Sequence, residues 1–147
     1  MNSDNIGQMT RRMYYYQLTL IFSFIFALVG FSYNVWRLEH SEQNNTIRTA
    51  SFELLKELAG LEQIIYAAHY DADAVAGNPR KGWVKVGLIA DLSLLTDDSV
   101  INNTGTLKKV WSKNWDKINT DRAAVDQIVS AIDQSRESIK VLLMSLN

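Results

Sequence analysis

Apolar residues follow two different patterns along this chain. Residues 17–36 read QLTLIFSFIFALVGFSYNVW, twenty positions without a charge. Twenty helical residues extend about 30 Å, the thickness of the hydrocarbon layer of a bilayer. Apolar side chains occupy every face of that helix, whereas a helix packed on a soluble core keeps a polar side. Beyond Ile47 the apolar positions become periodic. Ile47, Ser51, Leu54, Leu58, Leu61, Ile65, Ala68, Ala72 and Val75 advance in steps of four and three, one helical stripe. The spacing predicts a helix that Gly77 ends. Asn78 then caps a second helix, with Pro79 at its first position.

Residues 79–95 place Val84, Leu88, Leu92 and Leu95 on one stripe, widened by Trp83, Ala90 and Leu94. The run WVKVGLI has the composition of a strand, and Gly82 and Gly87 weaken a helix. No second strand is on offer to pair with it, so a helix is expected. The sequence TDDS at 96–99 caps a third helix carrying Val100, Thr104, Leu107, Trp111, Trp115 and Ile118, with Gly105 as a point where it splits or kinks. Asn119 and Thr120 start a fourth, whose inner stripe is Val125, Ile128, Ile132, Ser135, Ile139, Leu142 and Leu146. Segments 50–76 and 120–146 are of equal length, and short connections favour antiparallel neighbours. The expected fold is all-α: a single N-terminal transmembrane helix continuing into an antiparallel four-helix bundle. The expected segments are a cytoplasmic tail (1–16), a signal anchor (17–36), a polar stalk (37–48) and an extracytoplasmic bundle (49–147).

Charge orients the anchor. Arg11 and Arg12 precede the apolar run, where Asp4 is the only acid, and Glu39 and Glu42 follow Arg37 beyond it. Basic residues stay on the cytoplasmic side, so the N-terminus is expected inside and the rest in the periplasm of a bacterium, with the anchor in the inner membrane. Tyr14, Tyr15 and Tyr16 at one end and Tyr33 and Trp36 at the other suit the two headgroup zones. A cleaved signal peptide is the competing reading. It lacks an A-x-A site: Ile25 stands two before Ala27, and Gly30 before Ser32 is a poor match.

Composition excludes several function classes. The 147 residues are 47% hydrophobic and 21% charged with a net charge of -1, which fits neither a disordered chain nor a nucleic-acid binder carried by bulk positive charge. With no cysteine there is no disulfide framework, thiolate nucleophile or cysteine metal site. One proline argues against a turn-dense sandwich or barrel.

Local catalytic motifs (HExxH, Walker A, GxSxG, GxGxxG) are absent, and neither an enzyme nor a cofactor is expected. The histidines are His40, in the stalk, and His69. Glu62, Tyr66, His69 and Asp73 share a helix face in the predicted scheme, with Asp71 nearby. A His and an Asp at i and i+4 are a minimal metal pair, but zinc takes three or four ligands, so no metal site is expected from His69 and Asp73. The corner GNPRKGW gathers Asn78, Arg80, Lys81 and Trp83 at a helix start. Unpaired N–H groups, two bases and an aromatic there form a candidate partner-binding surface. Lys108, Lys109, Lys113 and Lys117 interleave with Trp111 and Trp115, yet the tryptophans fall on the core stripe, so nucleic acid is not an expected partner. Asn44-Asn45-Thr46 and Asn102-Asn103-Thr104 match a glycosylation acceptor, a pattern common by chance.

These features point to a non-enzymatic membrane-anchored interaction protein, a subunit or accessory factor of a bacterial envelope assembly. Its expected partners are the membrane and other envelope proteins. Phe22, Phe26 and Val29 offer a packing face to another span, and the span or the stalk could join copies into a homo-oligomer. The layout resembles, in architecture only, the periplasmic helical-bundle input domains of chemoreceptors and sensor kinases, which implies a sensor-like module binding a small ligand or signalling partner. Those domains return through a second span, and this chain is expected to end outside. It is also similar to spanin-type phage lysis subunits, which are usually more charged and less globular.

Overall fold

The computed structural model describes residues 3–146; the side chains of residues 3–11, Arg11 among them, and of His40 lie outside the described set. The described residues form four helices in order: α1 (Ser3–His69), α2 (Pro79–Ser93), α3 (Asp98–Asn114) and α4 (Arg122–Ser145). No strand occurs among the described residues, so WVKVGLI is helical. The chain divides into two units, Met1–Gln43 and Asn44–Asn147, with α1 contributing to both. Among the described residues, one helix is long and apolar enough to cross a membrane. Residues 37–48, predicted as a polar stalk, are part of α1.

The second unit is built around the two long stripes. Leu54, Leu58, Leu61 and Ile65 of α1 and Val125, Ile128, Ile132 and Ile139 of α4 are fully buried in one cluster with Val86, Ile89, Val100, Leu107 and Trp111. Each such side chain stabilises by about 1.5–3 kcal/mol relative to exposure. The α4 stripe is as predicted, with only Leu146 partly open. Ion pairs and hydrogen bonds at the rim tie the elements together. Arg48 Nη2 donates to the Leu146 carbonyl at 2.9 Å, and Lys85 Nζ sits 2.7 Å from Glu57 Oε2. Asn114 Nδ2 donates to Gln127 Oε1 at 3.1 Å.

Several expectations are corrected. The first helix ends at His69, not at Ala76. Ala72 adopts a left-handed φ of 51°, which a helix cannot continue through, and Asp73 Oδ1 accepts from the Val75 and Ala76 N–H groups to hold a turn instead. Ala72 and Val75 are therefore exposed. Gly77 is not a left-handed helix terminator. It lies against α1, where a Cβ would stand 2.4 Å from the Ala68 nitrogen.

The inner face of α2 is not the predicted one. Gly82, Val86, Ile89 and Ser93 are buried, while Val84 is 72% exposed, Leu88 43% and Leu95 50%. Gly82 decides this. A Cβ there would meet the Trp111 ring at 2.3 Å, so the glycine is the notch that admits the fully buried indole. The third helix ends at Asn114, with Trp115 as its C-cap, and runs through Gly105 as one element. Ile118 is buried beyond it. The last helix starts at Arg122, capped by Asp121, whose Oδ1 accepts from the Ala123 and Ala124 N–H groups, and not at Asn119 or Thr120.

Candidate functional site

The polar side chains that sequence spacing grouped on one helix face separate into two places. Glu62 and Tyr66 remain together on α1. Tyr66 Oη donates to Glu62 Oε1 at 2.9 Å, and the other carboxylate oxygen pairs with Arg136 of α4. Arg136 Nη1 also reaches Asp133 at 3.0 Å. Burial raises the Glu62 carboxyl, but hydrogen bonds from Arg136 and Tyr66 and the guanidinium charge outweigh it and hold the group below its ordinary value. The same hydrogen bonds raise Arg136 and Tyr66. All three groups keep their ordinary neutral-pH charge, which suits a structural clasp.

His69 and Asp73 lie past that point, at the end of α1, and are not i and i+4 on a helix. His69 Nδ1 meets the Ile118 carbonyl at 2.9 Å. A carbonyl only accepts, so Nδ1 carries the proton in this contact and Nε2 is the open nitrogen. The imidazole also stands edge-on to Tyr70, with ring centroids 4.8 Å apart. Hydrogen bonds from the Ala76 and Val75 N–H groups hold the Asp73 carboxyl below its ordinary range, with Lys81 adding to the effect. His69 and Asp73 line one cleft of about 230 Å³ with Asn119, Gly77, Pro79 and three alanines, Ala68, Ala72 and Ala74. No group of three or more metal-ligating His, Cys, Asp or Glu side chains occurs among the described residues.

The corner at 78–83 is spent largely on its own fold. Asn78 Oδ1 accepts from the Arg80 N–H at 3.0 Å and the Asn78 carbonyl from the Lys81 N–H at 3.0 Å, so those groups are not waiting for an anion. Lys81 Nζ donates to the Val75 carbonyl at 2.8 Å and staples the preceding turn. Arg80 is exposed. Trp83, 37% exposed, packs edge-on against Trp111 and Trp115, with centroids 6.3 and 6.4 Å away. Protein-family models, curated proteins and solved structures offer no match to this chain.

Along the first unit the predicted interfacial residues lie on α1 at the two ends of the uncharged run. Tyr14 and Tyr15 pair edge-on at 6.4 Å, and Tyr33 and Trp36 lie tilted at 6.2 Å. Tyr16 and Arg12 are exposed beside them. Thr19 Oγ1 donates to the Tyr15 carbonyl at 2.9 Å, which satisfies its hydroxyl within the helix. Phe22, Phe26 and Val29 are all exposed. Lys108, Lys109, Lys113 and Lys117 are exposed, Trp111 is core, and Trp115 lies at the rim.

Sequence reasoning missed three participants: Arg136, the Ile118 carbonyl and Asn119. Glu62 and Tyr66 are one turn apart and signal each other. Arg136 lies 74 residues from Glu62, and no local spacing announces it. Asn119 read as a helix start because the true cap, Asp121, is two residues on.

Proposed function

We propose that this chain is a non-enzymatic interaction protein, held in a bacterial inner membrane by residues 17–36, with an antiparallel helical bundle outside as its working part. In this reading it is a subunit or accessory factor of an envelope assembly. The observation that carries the reading is a contrast within one helix. Phe22, Phe24, Phe26, Phe31 and their apolar neighbours on α1 are exposed on every face, Phe26 at 73%, whereas from Ala50 onward the same helix buries a single stripe. Apolar surface of the first kind is stable against lipid, and each Leu, Ile, Phe or Val at mid-membrane favours insertion by about 0.3–0.6 kcal/mol. The antiparallel arrangement has support from three rim contacts. Arg48 pairs with Leu146, Glu62 with Arg136 and His69 with Ile118, so α1 ascends as the partner segment descends.

Val84 and Leu88, one turn apart on the outer face of α2, support the interaction reading, because neighbouring exposed apolar side chains on a folded unit mark association surfaces. Alkaline phosphatase fused after Asn147 is expected to be active in a bacterial host, and a cytoplasmic reporter at the same position silent. The opposite pattern overturns the topology. Val84→Asp with Leu88→Asp is expected to leave melting nearly unchanged and to abolish recovery of partner proteins that co-purify with the parent in mild detergent. Equal recovery would remove this helix face from the interaction.

A further inference from the structure

The cleft at the end of α1 is rich in hydrogen-bond acceptors. Asp73 commits Oδ1 to the Val75 and Ala76 N–H groups at 2.8 and 2.9 Å, and Oδ2 accepts no hydrogen bond among the described residues. His69 donates its Nδ1 N–H to the Ile118 carbonyl, so in the neutral imidazole Nε2 is the acceptor nitrogen. Asn119 adds an exposed side-chain amide with its own carbonyl oxygen. Alanine and proline side chains make up the apolar part of the wall. Three acceptors and apolar walls complement one common group. An ammonium carries three N–H donors and no acceptor, and its methylene stem packs on apolar surface.

We propose that this cleft binds a primary alkylammonium group, the head of a small amine or of a partner's lysine side chain. The volume of about 230 Å³ accommodates a four-carbon stem with its head group. Lys81, the cation already nearby, donates to the Val75 carbonyl and leaves the Asp73 carboxylate to the cleft. The carboxylate repels anions. A divalent metal of the zinc type lacks a third His, Cys, Asp or Glu among the described residues. Because Asp73 is exposed, the electrostatic gain is screened by solvent and binding is expected to be weak, in about the millimolar range. The proposal stands whether or not residues 17–36 lie in a membrane.

The test uses the full chain, 15N-labelled, in an uncharged maltoside detergent. Titration with n-butylammonium chloride is expected to give saturable shifts at the amides of Ala68, Ala74 and Gly77 and at the Asn119 side chain. n-Butanol, with the same stem and no charge, is expected to give none. Asp73→Asn keeps Oδ1 for the two N–H groups and turns Oδ2 into a donor, so half-saturation should rise at least about tenfold. Lys81→Met removes a like charge and should lower it about two- to threefold. Should Asp73→Asn reduce melting, Asn119→Leu, on an exposed side chain, supplies the second loss of binding. A blocked tripeptide with a central lysine separates the sources: tighter binding than n-butylammonium assigns the cleft to a partner's side chain, equal or weaker binding to a small amine. Shifts that never saturate, that n-butanol reproduces, or that both Asp73→Asn and Asn119→Leu leave unchanged would overturn the proposal.

Discussion

Gly77 rests directly on Ala68: a Cβ built on the glycine would lie 2.4 Å from the Ala68 nitrogen and 2.5 Å from its Cα. Both are backbone atoms and have no rotamer to yield. Gly77→Ala must push the turn at 70–77 away from α1, at a cost of about 2–4 kcal/mol. Gly105, inside α3, has nothing within 4 Å of its would-be Cβ. Gly105→Ala is expected to stabilise by up to about 1 kcal/mol, through helix propensity alone. Thermal melts of the two variants should move in opposite directions.

Leu61 is fully buried and Val84 is 72% exposed, although both sit on stripes of the same spacing in the sequence. Leu61→Asp is expected to destabilise by several kcal/mol, since it leaves a carboxylate without a partner in the core. Val84→Asp should stay within about 0.5 kcal/mol of the parent. Circular dichroism melts measure both.

Glu62 is an acid-sensitive group of the second unit that joins two helices. Its folded pKa lies below its unfolded value, so its contribution is complete at pH above the ordinary carboxylate range and is lost as pH falls through the lower, folded value. Its pairing with Arg136 is about four-fifths shielded from solvent, which puts the contribution at about 1–2 kcal/mol, between exposed and buried pairs. Glu62→Gln should lower the melting temperature at pH 7 and flatten its decline between pH 5 and about pH 3. A parent and variant that fall in parallel over that range would show that the Glu62–Arg136 pair contributes nothing.

Trp83 bridges Trp111 and Trp115 edge-on. Each such pair adds about 0.5–1.5 kcal/mol beyond the area it buries. Trp83→Ala should therefore cost about 2–3 kcal/mol and change the near-ultraviolet circular dichroism of the remaining tryptophans. A variant that keeps its melting temperature would free Trp83 for a partner.

The helical class and the α4 stripe were legible because both rest on periodicity, which twenty-four unbroken residues display plainly. The end of α1 was not. Ala72 and Val75 preserve the spacing of the stripe, and nothing in an alanine announces a left-handed backbone. The inner face of α2 was misjudged for a related reason. Counting large apolar residues chose Val84, Leu88 and Leu95, whereas the structure buries Gly82, whose value is the space it leaves for an indole contributed by another helix. The cleft combines both problems: His69 and Asp73 were visible as residue types, but their neighbour Asn119 comes from the connection between α3 and α4.

No hydrogen bond or ion pair joins α2 to α3 among the described residues; shape holds them. The Gly82 notch over Trp111 therefore acts as an index mark that fixes how far along α3 the shorter helix may slide. A slip of one turn, about 5.4 Å, would bring Asn78 or Val86 under the indole, where neither fits. The longitudinal setting of α2, and with it the height at which Lys85 meets Glu57, is decided by a side chain that is not there.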